Sequence, residues 1–215
     1  MSTSPEQPAL EQAIEKLYKV YSCYALPEVV EGCPCCVDGS DQEKIHNKPL
    51  RRLSAEDLSR YAFKAMTTWG SVEDFKHFLP RLLELITDAN SITQEMDLEV
   101  LLGKLRYAKW QNWPQEEQVA VSEYLVALWQ YVLTLPTEDI LMDEYVCAYA
   151  QAIDDLMPYL TTWETTETDS ALNHLLVFVD EQQSLYRGKL SNSFWTDQKE
   201  QMRQVIAWVS HLQLA

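Results

Sequence analysis

The sequence predicts an all-α protein, and three observations lead to that prediction. Apolar residues recur at intervals of three and four almost throughout the 215 residues, which is the periodicity of one helix face. Only five glycines are present, too few for a turn-rich β sandwich or barrel. Hydrophobic residues make up 47% of the chain and charged residues 23%, a composition that allows helices to bury a core. We expect a single helical domain over residues 1–215.

About eight helices in antiparallel pairs are predicted. Pro27 ends the first, and residues 27–50 are predicted to form a loop because prolines, glycines and a polar run interrupt the periodicity. Ser54 and Ser71 are predicted N-caps, since an aspartate follows each of them three residues later. The predicted helices cover residues 9–24, 54–69, 71–88, 93–110, 114–132, 137–158, 169–186 and 193–214.

Two interruptions of the helical pattern are expected, and the absence of a consensus repeat leaves the topology open. Pro80 lies inside the pattern of the third helix and is expected to kink it or break its first turns. The run TTWETTETDS at 161–170 is interpreted as a polar connection. Helix pairs at intervals of roughly 35–45 residues resemble HEAT- or TPR-like solenoids, but no consensus repeats, so an irregular bundle is an equally good prediction.

Charge is distributed unevenly along the chain. The net charge is −16, and residues 111–186 contain fourteen acids but no lysine or arginine. Such a field repels nucleic acid and anionic membrane, and it attracts a basic protein. The plainer alternative is that an acidic surface keeps the protein soluble. If the stretch is a docking face, the residues predicted to bind the partner are Glu138, Asp139, Asp143, Glu144, Asp154 and Asp155.

The first functional prediction is therefore a non-enzymatic interaction protein that docks a basic partner. One concrete version is an immunity or antitoxin protein that covers the active surface of a basic nuclease-type toxin. No G-x-S-x-G, Walker or G-x-G-x-x-G motif is present to suggest an enzyme. The N-terminus lacks the basic and apolar regions of a signal peptide, and the longest apolar run, near 124–136, is too short to cross a bilayer. We expect a cytoplasmic location.

The alternative prediction is a metalloprotein, and it depends on a cysteine cluster. Three of the five cysteines, Cys33, Cys35 and Cys36, lie within four positions, which is a poor disulfide framework. Their thiolates could bind zinc from one turn, with His46 or His77 as the fourth ligand. Two other interpretations stay open: the thiols simply pack or lie exposed, or they form a redox switch.

Two segments together resemble a family of uncharacterised bacterial proteins. These segments are YALPEVVEGCPCC (24–36) and LSAEDLSRYAFKAMTTWGSVEDFKHFLPRLLEL (53–85). The family carries a GCPCC-type loop followed by a TWG…DFKHFLPR helix pair, and no activity, cofactor or substrate comes with it. The resemblance implies a bacterial origin. It also places the cysteines and His77 in one block, which favours His77 over His46 as the fourth ligand.

Overall fold

The computed structural model describes residues 6–87, 96–182 and 188–212, and its regular structure in these residues is helical. The prediction of an all-α protein is confirmed. Two isolated bridges, rather than strands, are the extended pairings found in the described part of the chain. The ten α-helices there are α1 (Glu6–Tyr21), α2 (Gly39–His46), α3 (Ala55–Lys64), α4 (Val72–Leu85), α5 (Leu98–Tyr107), α6 (Gln115–Val132), α7 (Met142–Ala152), α8 (Met157–Thr165), α9 (Asp169–Glu181) and α10 (Lys199–His211).

The most extensive helix contacts join elements that are far apart in the sequence. α1 packs along α6 and also against α4, while α5 packs along α7. The buried apolar side chains form one continuous cluster. In a solenoid each repeat contacts only its neighbours, so the contact of α1 with α6 is the pattern of an irregular bundle. None of the described helices is long and apolar enough to span a membrane.

The caps predicted at Ser54 and Ser71 are both present. Ser54 Oγ accepts a hydrogen bond from the Asp57 N–H at 3.2 Å, and Asp57 Oδ2 accepts one from the Ser54 N–H at 2.8 Å. The corresponding distances for Ser71 and Asp74 are 3.2 and 2.7 Å. These reciprocal bonds satisfy N–H groups that a helix start leaves without partners. α4 continues through Pro80 to Leu85, so the expected break does not occur.

The prediction that residues 27–50 form only a loop is wrong, because this segment contains α2. Asp38 Oδ1 accepts hydrogen bonds from the N–H groups of Ser40 and Asp41, at 2.8 and 3.1 Å. Asp41 Oδ2 in turn accepts one from the Asp38 N–H at 3.2 Å. Ile45 is the one fully buried apolar side chain of this helix. A helix of eight residues with a single apolar contact is too short to show a periodic stripe, so its caps are the only local signal.

The polar interpretation of 161–170 is also wrong in part, since α8 ends only at Thr165. Trp163 is buried, and its Nε1 donates a hydrogen bond to the Ala171 carbonyl oxygen at 2.9 Å. The helix predicted from 137 to 158 is divided: α7 begins at Met142, and Ile153 adopts an extended conformation that ends it. Pro158 lies at the start of α8, a position that proline favours.

α3 ends at Lys64, five residues before the predicted end. Met66 adopts a left-handed conformation, with φ of 61°, and residues 65–69 turn back to pair with the segment that precedes the cysteines. The predicted helices at 71–88, 93–110, 169–186 and 193–214 correspond to α4, α5, α9 and α10, but 88, 93–95, 183–186 and 213–214 lie outside the described residues.

Candidate metal centre

Three cysteine side chains meet on one turn between α1 and α2. The Sγ atoms of Cys33, Cys35 and Cys36 all lie within 4.8 Å of one another. The Sγ–Sγ distance is 2.9 Å for Cys33 and Cys35 and 3.7 Å for Cys35 and Cys36. Both exceed the roughly 2.05 Å of a disulfide, and all three thiols are free. Cys35 is exposed and the other two are half-buried, so this group of thiols is accessible from solvent.

The remaining two cysteines lie apart from this turn. Cys23 is exposed just after α1, and its Sγ lies 3.7 Å from the Val20 carbonyl oxygen. Cys147 is fully buried in α7, where burial raises the pKa of its thiol far above the usual value. A buried neutral thiol packs as a small apolar group.

Backbone hydrogen bonds attach the cysteine turn to the connection between α3 and α4. The Cys33 N–H donates to the Thr68 carbonyl oxygen at 2.8 Å, and the Gly70 N–H donates to the Glu31 carbonyl oxygen at 2.7 Å. Between these bonds, Gly32 and Trp69 form an antiparallel bridge. The position of Cys33 is therefore set by the backbone and not by side-chain packing alone.

Within the turn, the chain folds back on Cys33 and leads directly into α2. The Cys33 carbonyl oxygen accepts hydrogen bonds from the N–H groups of Cys36 and Val37, at 2.8 and 3.0 Å. Gln42 of α2 holds the start of the segment, since its side chain donates to the Val30 carbonyl oxygen at 2.6 Å and accepts from the Val30 N–H at 3.1 Å. α2, which the sequence did not reveal, is thus part of the support of the cysteine turn.

Two cations of α3 reach the same turn. Arg60 Nη2 donates to the Cys36 carbonyl oxygen at 3.0 Å, and Lys64 Nζ donates to the same atom. Arg60 also pairs with Asp41 of α2, with Nε and Oδ1 2.6 Å apart. Positive charge close to cysteines favours their thiolate forms. Neither cation was predicted from the sequence, although their spacing of four places them on one face of α3, toward the partner helix α2.

The pKa values of Cys33 and Cys35 are shifted in opposite directions. Hydrogen bonding with the Cys35 side chain, together with the N–H groups of Cys35 and Cys36, holds the pKa of Cys33 below its usual value. Hydrogen bonds to Cys33 and Cys36, and the negative charge of those sulfurs, raise the pKa of Cys35 to about 11. Cys33 therefore ionises before Cys35, which keeps its proton unless a metal cation binds and displaces it.

These three sulfurs suit a thiophilic metal ion. Zinc–sulfur bonds of about 2.3 Å in a tetrahedral site place two sulfurs about 3.8 Å apart. Cys35 and Cys36 have nearly that separation, at 3.7 Å. The Cys33–Cys35 distance would have to lengthen by about 1 Å, which an exposed side chain on a turn can accommodate.

Neither predicted histidine joins this group in the described residues. His77 donates from Nδ1 to the Tyr24 carbonyl oxygen at 2.7 Å. His46 Nδ1 lies 2.7 Å from the Gln42 carbonyl oxygen within α2, and its Nε2 lies 2.9 Å from the Pro27 carbonyl oxygen, which links the end of α2 to the preceding loop. No trio of candidate ligand atoms within 4.8 Å contains a histidine in the described part of the chain. His77 as fourth ligand stays a prediction.

The six acidic residues predicted to dock a basic partner differ in their surroundings. Arg106 binds Asp154 at 2.5 Å, and Gln182 donates to Asp143 at 2.8 Å. Burial raises the pKa of Asp143 and, with the nearby charges of Asp143 and Asp97, that of Glu144. The residues that are exposed and form no ion pair with a described cation are Glu138, Asp139 and Asp155.

Across the acidic stretch, most charges form no ion pair with a cation in the described part of the chain. Three of the fourteen acids in 111–186 form ion pairs, all with cations from outside the stretch: Glu117 with Lys76, Glu123 with Lys16, and Asp154 with Arg106. The other eleven form no ion pair within the residues that the structure describes. The stretch therefore retains most of its negative field after folding.

Comparisons with known proteins add no assignment. No protein-family model, curated protein or solved structure matches this chain. The resemblance of residues 24–85 to an uncharacterised bacterial family stays a prediction.

Proposed function

We propose that this protein is a metalloprotein that binds a thiophilic ion, such as zinc, through Cys33, Cys35 and Cys36. The observation that supports this proposal best is the convergence of the three Sγ atoms within 4.8 Å on one anchored turn. The cations Arg60 and Lys64 beside Cys36 offset the negative charge of three thiolates. Of the two functions that the sequence predicted, the geometry favours the metalloprotein.

The role of the ion follows from what the turn contacts. The cysteine segment is bonded to the α3–α4 connection, to α3 and to α2, and each of these attachments is a set of hydrogen bonds close to the surface. An ion held by three thiolates would fix the conformation of the turn that makes these bonds, and it would stabilise the folded form over the unfolded one. We propose a structural role of this kind.

Zinc loading of the reduced protein tests the proposal. We expect the wild type to bind about one equivalent of zinc, measured by elemental analysis after gel filtration without chelator. The variant Cys35→Ser should bind zinc far more weakly, because two thiolates remain. Cys23→Ser is the matched control, since Cys23 is an exposed free thiol outside the group. Absence of zinc from fully reduced wild type, or equal losses in both variants, would refute the proposal.

We also propose docking of a basic protein on the acidic stretch, because eleven of its fourteen acids have no ion pair in the described residues. An immunity- or antitoxin-type protein that covers a basic toxin is one form of this proposal. It is independent of the metal centre, whose residues lie outside 111–186.

Charge reversal tests the docking proposal. The triple variant Glu138→Lys, Asp139→Lys, Asp155→Lys should lose a basic partner that the wild type captures from its native lysate at low salt and releases at high salt. The matched control is the triple variant Glu28→Lys, Glu43→Lys, Glu73→Lys, which changes three exposed acids outside the stretch. Retention of the partner by the first variant, or absence of any salt-sensitive basic partner, would refute the proposal.

A further inference from the structure

A cleft of about 850 Å³ lies beside the cysteine turn, and one of the cysteines lines it. Its walls come from residues 27–33 and from residues 66–74. Two of its lining residues contain sulfur, Cys33 and Met66. A thiol from one wall and a thioether from the other therefore line the same cleft.

The backbone of Met66 is unusual. Its φ of 61° is left-handed, a conformation that glycine or asparagine adopts more readily than methionine. Hydrogen bonds maintain it: the Met66 N–H donates to the Trp69 carbonyl oxygen at 2.9 Å, and the Thr68 N–H donates to the Lys64 carbonyl oxygen at 3.1 Å. Such backbone conformations are concentrated at functional sites, where the surrounding structure maintains them.

The same short turn holds the cysteine group at both ends. Lys64 Nζ donates to the Cys36 carbonyl oxygen, and the Thr68 carbonyl oxygen accepts from the Cys33 N–H at 2.8 Å. Met66 is midway between Lys64 and Thr68 in sequence. Its side chain is half-buried and lines the cleft that Cys33 also lines.

A set of three thiolates and one thioether has a distinct metal preference. Thiolate and thioether ligands select soft ions such as Cu(I), whereas zinc sites are built from thiolate, imidazole and carboxylate. With Cu(I), three thiolates give the centre two negative charges, one more than with zinc. Arg60 and Lys64 supply two positive charges at the Cys36 carbonyl oxygen.

We propose that Met66 completes the cysteine group as a fourth, thioether ligand and makes it a Cu(I) site. This inference rests on the proposed metal-binding function and adds to it a fourth ligand in place of the predicted histidines, and the identity of the ion. The competing role of Met66 is ordinary packing, since it also lies against the hydrophobic core.

Parallel titrations with two metals distinguish these roles. Cu(I) affinity is measured without oxygen against bicinchoninate, and Zn(II) affinity against pyridylazoresorcinol. We expect Met66→Leu to weaken Cu(I) binding by about tenfold and to leave Zn(II) binding unchanged, because leucine keeps the volume but lacks the sulfur. Met202→Leu, at a half-buried methionine of α10, is the matched control and should change neither affinity.

A direct measurement complements the affinities. In protein labelled with selenomethionine and loaded with Cu(I), selenium absorption spectroscopy should show a copper neighbour, and Met66→Leu should abolish that signal while Met202→Leu keeps it. If Met66→Leu does not fold, the spectrum of the wild type still decides, because absence of any copper neighbour overturns the inference.

The outcomes separate the inference from the function on which it rests. Wild-type Cu(I) affinity in Met66→Leu, or an equal loss of Cu(I) and Zn(II) binding, overturns the role of Met66 but leaves the thiolate site standing. Failure of the reduced wild type to bind either ion overturns both.

Discussion

Gly32 shows how closely the cysteine turn fits against the α3–α4 connection. A Cβ at this position would lie 2.9 Å from Val37 Cγ2 and 3.2 Å from Trp69 Cδ1. Trp69 is buried, so it cannot move away without disturbing the core. We expect Gly32→Ala to lower the free energy of unfolding by about 1–3 kcal/mol, measured by urea denaturation.

Gly39 provides the matched control for this substitution. It is the first residue of α2, and an added Cβ would meet no atom within 4 Å. Gly39→Ala should leave the free energy of unfolding unchanged or raise it by under about 1 kcal/mol, because alanine restricts the unfolded chain. If the two substitutions destabilise the protein equally, crowding at Gly32 is not the cause of the destabilisation by Gly32→Ala.

At the scale of single residues, sequence separation decides what was predictable. Cys33, Cys35 and Cys36 are so close in sequence that any turn brings their sulfurs together, so the group could be predicted without a fold. A ligand from elsewhere depends on long-range packing. His77 is a case in point, since its Nδ1 bonds to Tyr24, 53 residues earlier. Met66 gave no local signal, because methionine is not a residue type that favours the left-handed backbone it adopts.

At the scale of helices, a buried ion pair joins α4 to α6. Lys76 Nζ lies 2.7 Å from Glu117 Oε2, and each side chain is 8% exposed. The Tyr24 hydroxyl, just after α1, donates to Glu117 at 2.6 Å and accepts from Lys76 at 3.0 Å. Burial by itself lowers the pKa of Lys76, but the hydrogen bonds to Glu117 and Tyr24 outweigh it and raise that pKa.

Removal of one partner should be far more harmful than removal of both. We expect Lys76→Met to lower the free energy of unfolding by about 3–5 kcal/mol, because the Glu117 carboxylate stays buried without its cation. The double variant Lys76→Met, Glu117→Met should recover most of that loss in the same urea titration. A double variant as unstable as the single one would contradict this account and point to packing of the Lys76 stem instead.

Carboxylates meet where α5 and α7 begin, and pH should reveal their repulsion. Burial raises the pKa of Glu144, and the charges of Asp143 and Asp97 add to that effect. An acid whose pKa is higher in the folded state holds its proton more tightly there. Its contribution to stability is complete below its unfolded pKa of about 4.3 and is lost as pH rises through the folded pKa. At neutral pH the Glu144 charge therefore opposes folding.

Glu144→Gln should consequently stabilise the protein at pH 7 and lose that advantage near pH 4. We expect a gain in the free energy of unfolding below about 1 kcal/mol, since Glu144 is half-exposed and water screens its charge. Glu138→Gln, at a fully exposed acid, should change the free energy of unfolding at pH 7 by less than about 0.5 kcal/mol. Urea titrations at the two pH values measure both variants, and an equal gain at pH 4 and pH 7 would refute the electrostatic cause.

Local signals explain which helices were predicted. α3 and α4 combine a capping box with a long apolar stripe, and both starts were placed correctly at Ser54 and Ser71. α2 has the same kind of capping box at Asp38 but one fully buried apolar residue, and α8 is rich in threonine and buries two residues, Leu160 and Trp163. A short helix that is stabilised by a few tertiary contacts lacks a periodic apolar stripe, so its sequence resembles that of a loop.

At the scale of the molecule, the helical class was predictable and the packing was not. Periodicity reports which face of a helix is buried, and it says nothing about which helix covers that face. The contact of α1 with α6 joins residues about 100 positions apart; the Tyr21 hydroxyl, for instance, bonds the Glu117 carbonyl oxygen at 3.3 Å. The charge distribution, in contrast, changes little on folding, because among the described residues three acids of the 111–186 stretch form an ion pair.

That unbalanced charge should make stability increase with salt. The net charge of −16 repels itself in the compact state, while exposed pairs such as Arg51–Glu15 contribute at most about 1 kcal/mol each. Sodium chloride screens both the repulsion among the negative charges and the attraction within exposed ion pairs. Because the repulsion is the larger of the two, stability should increase with salt. We expect the Tm to rise as sodium chloride increases from low to high concentration.

The triple variant Glu138→Lys, Asp139→Lys, Asp155→Lys, whose net charge is less negative by six, should show a smaller rise. A Tm that falls with salt in the wild type would mean that its ion pairs outweigh the repulsion.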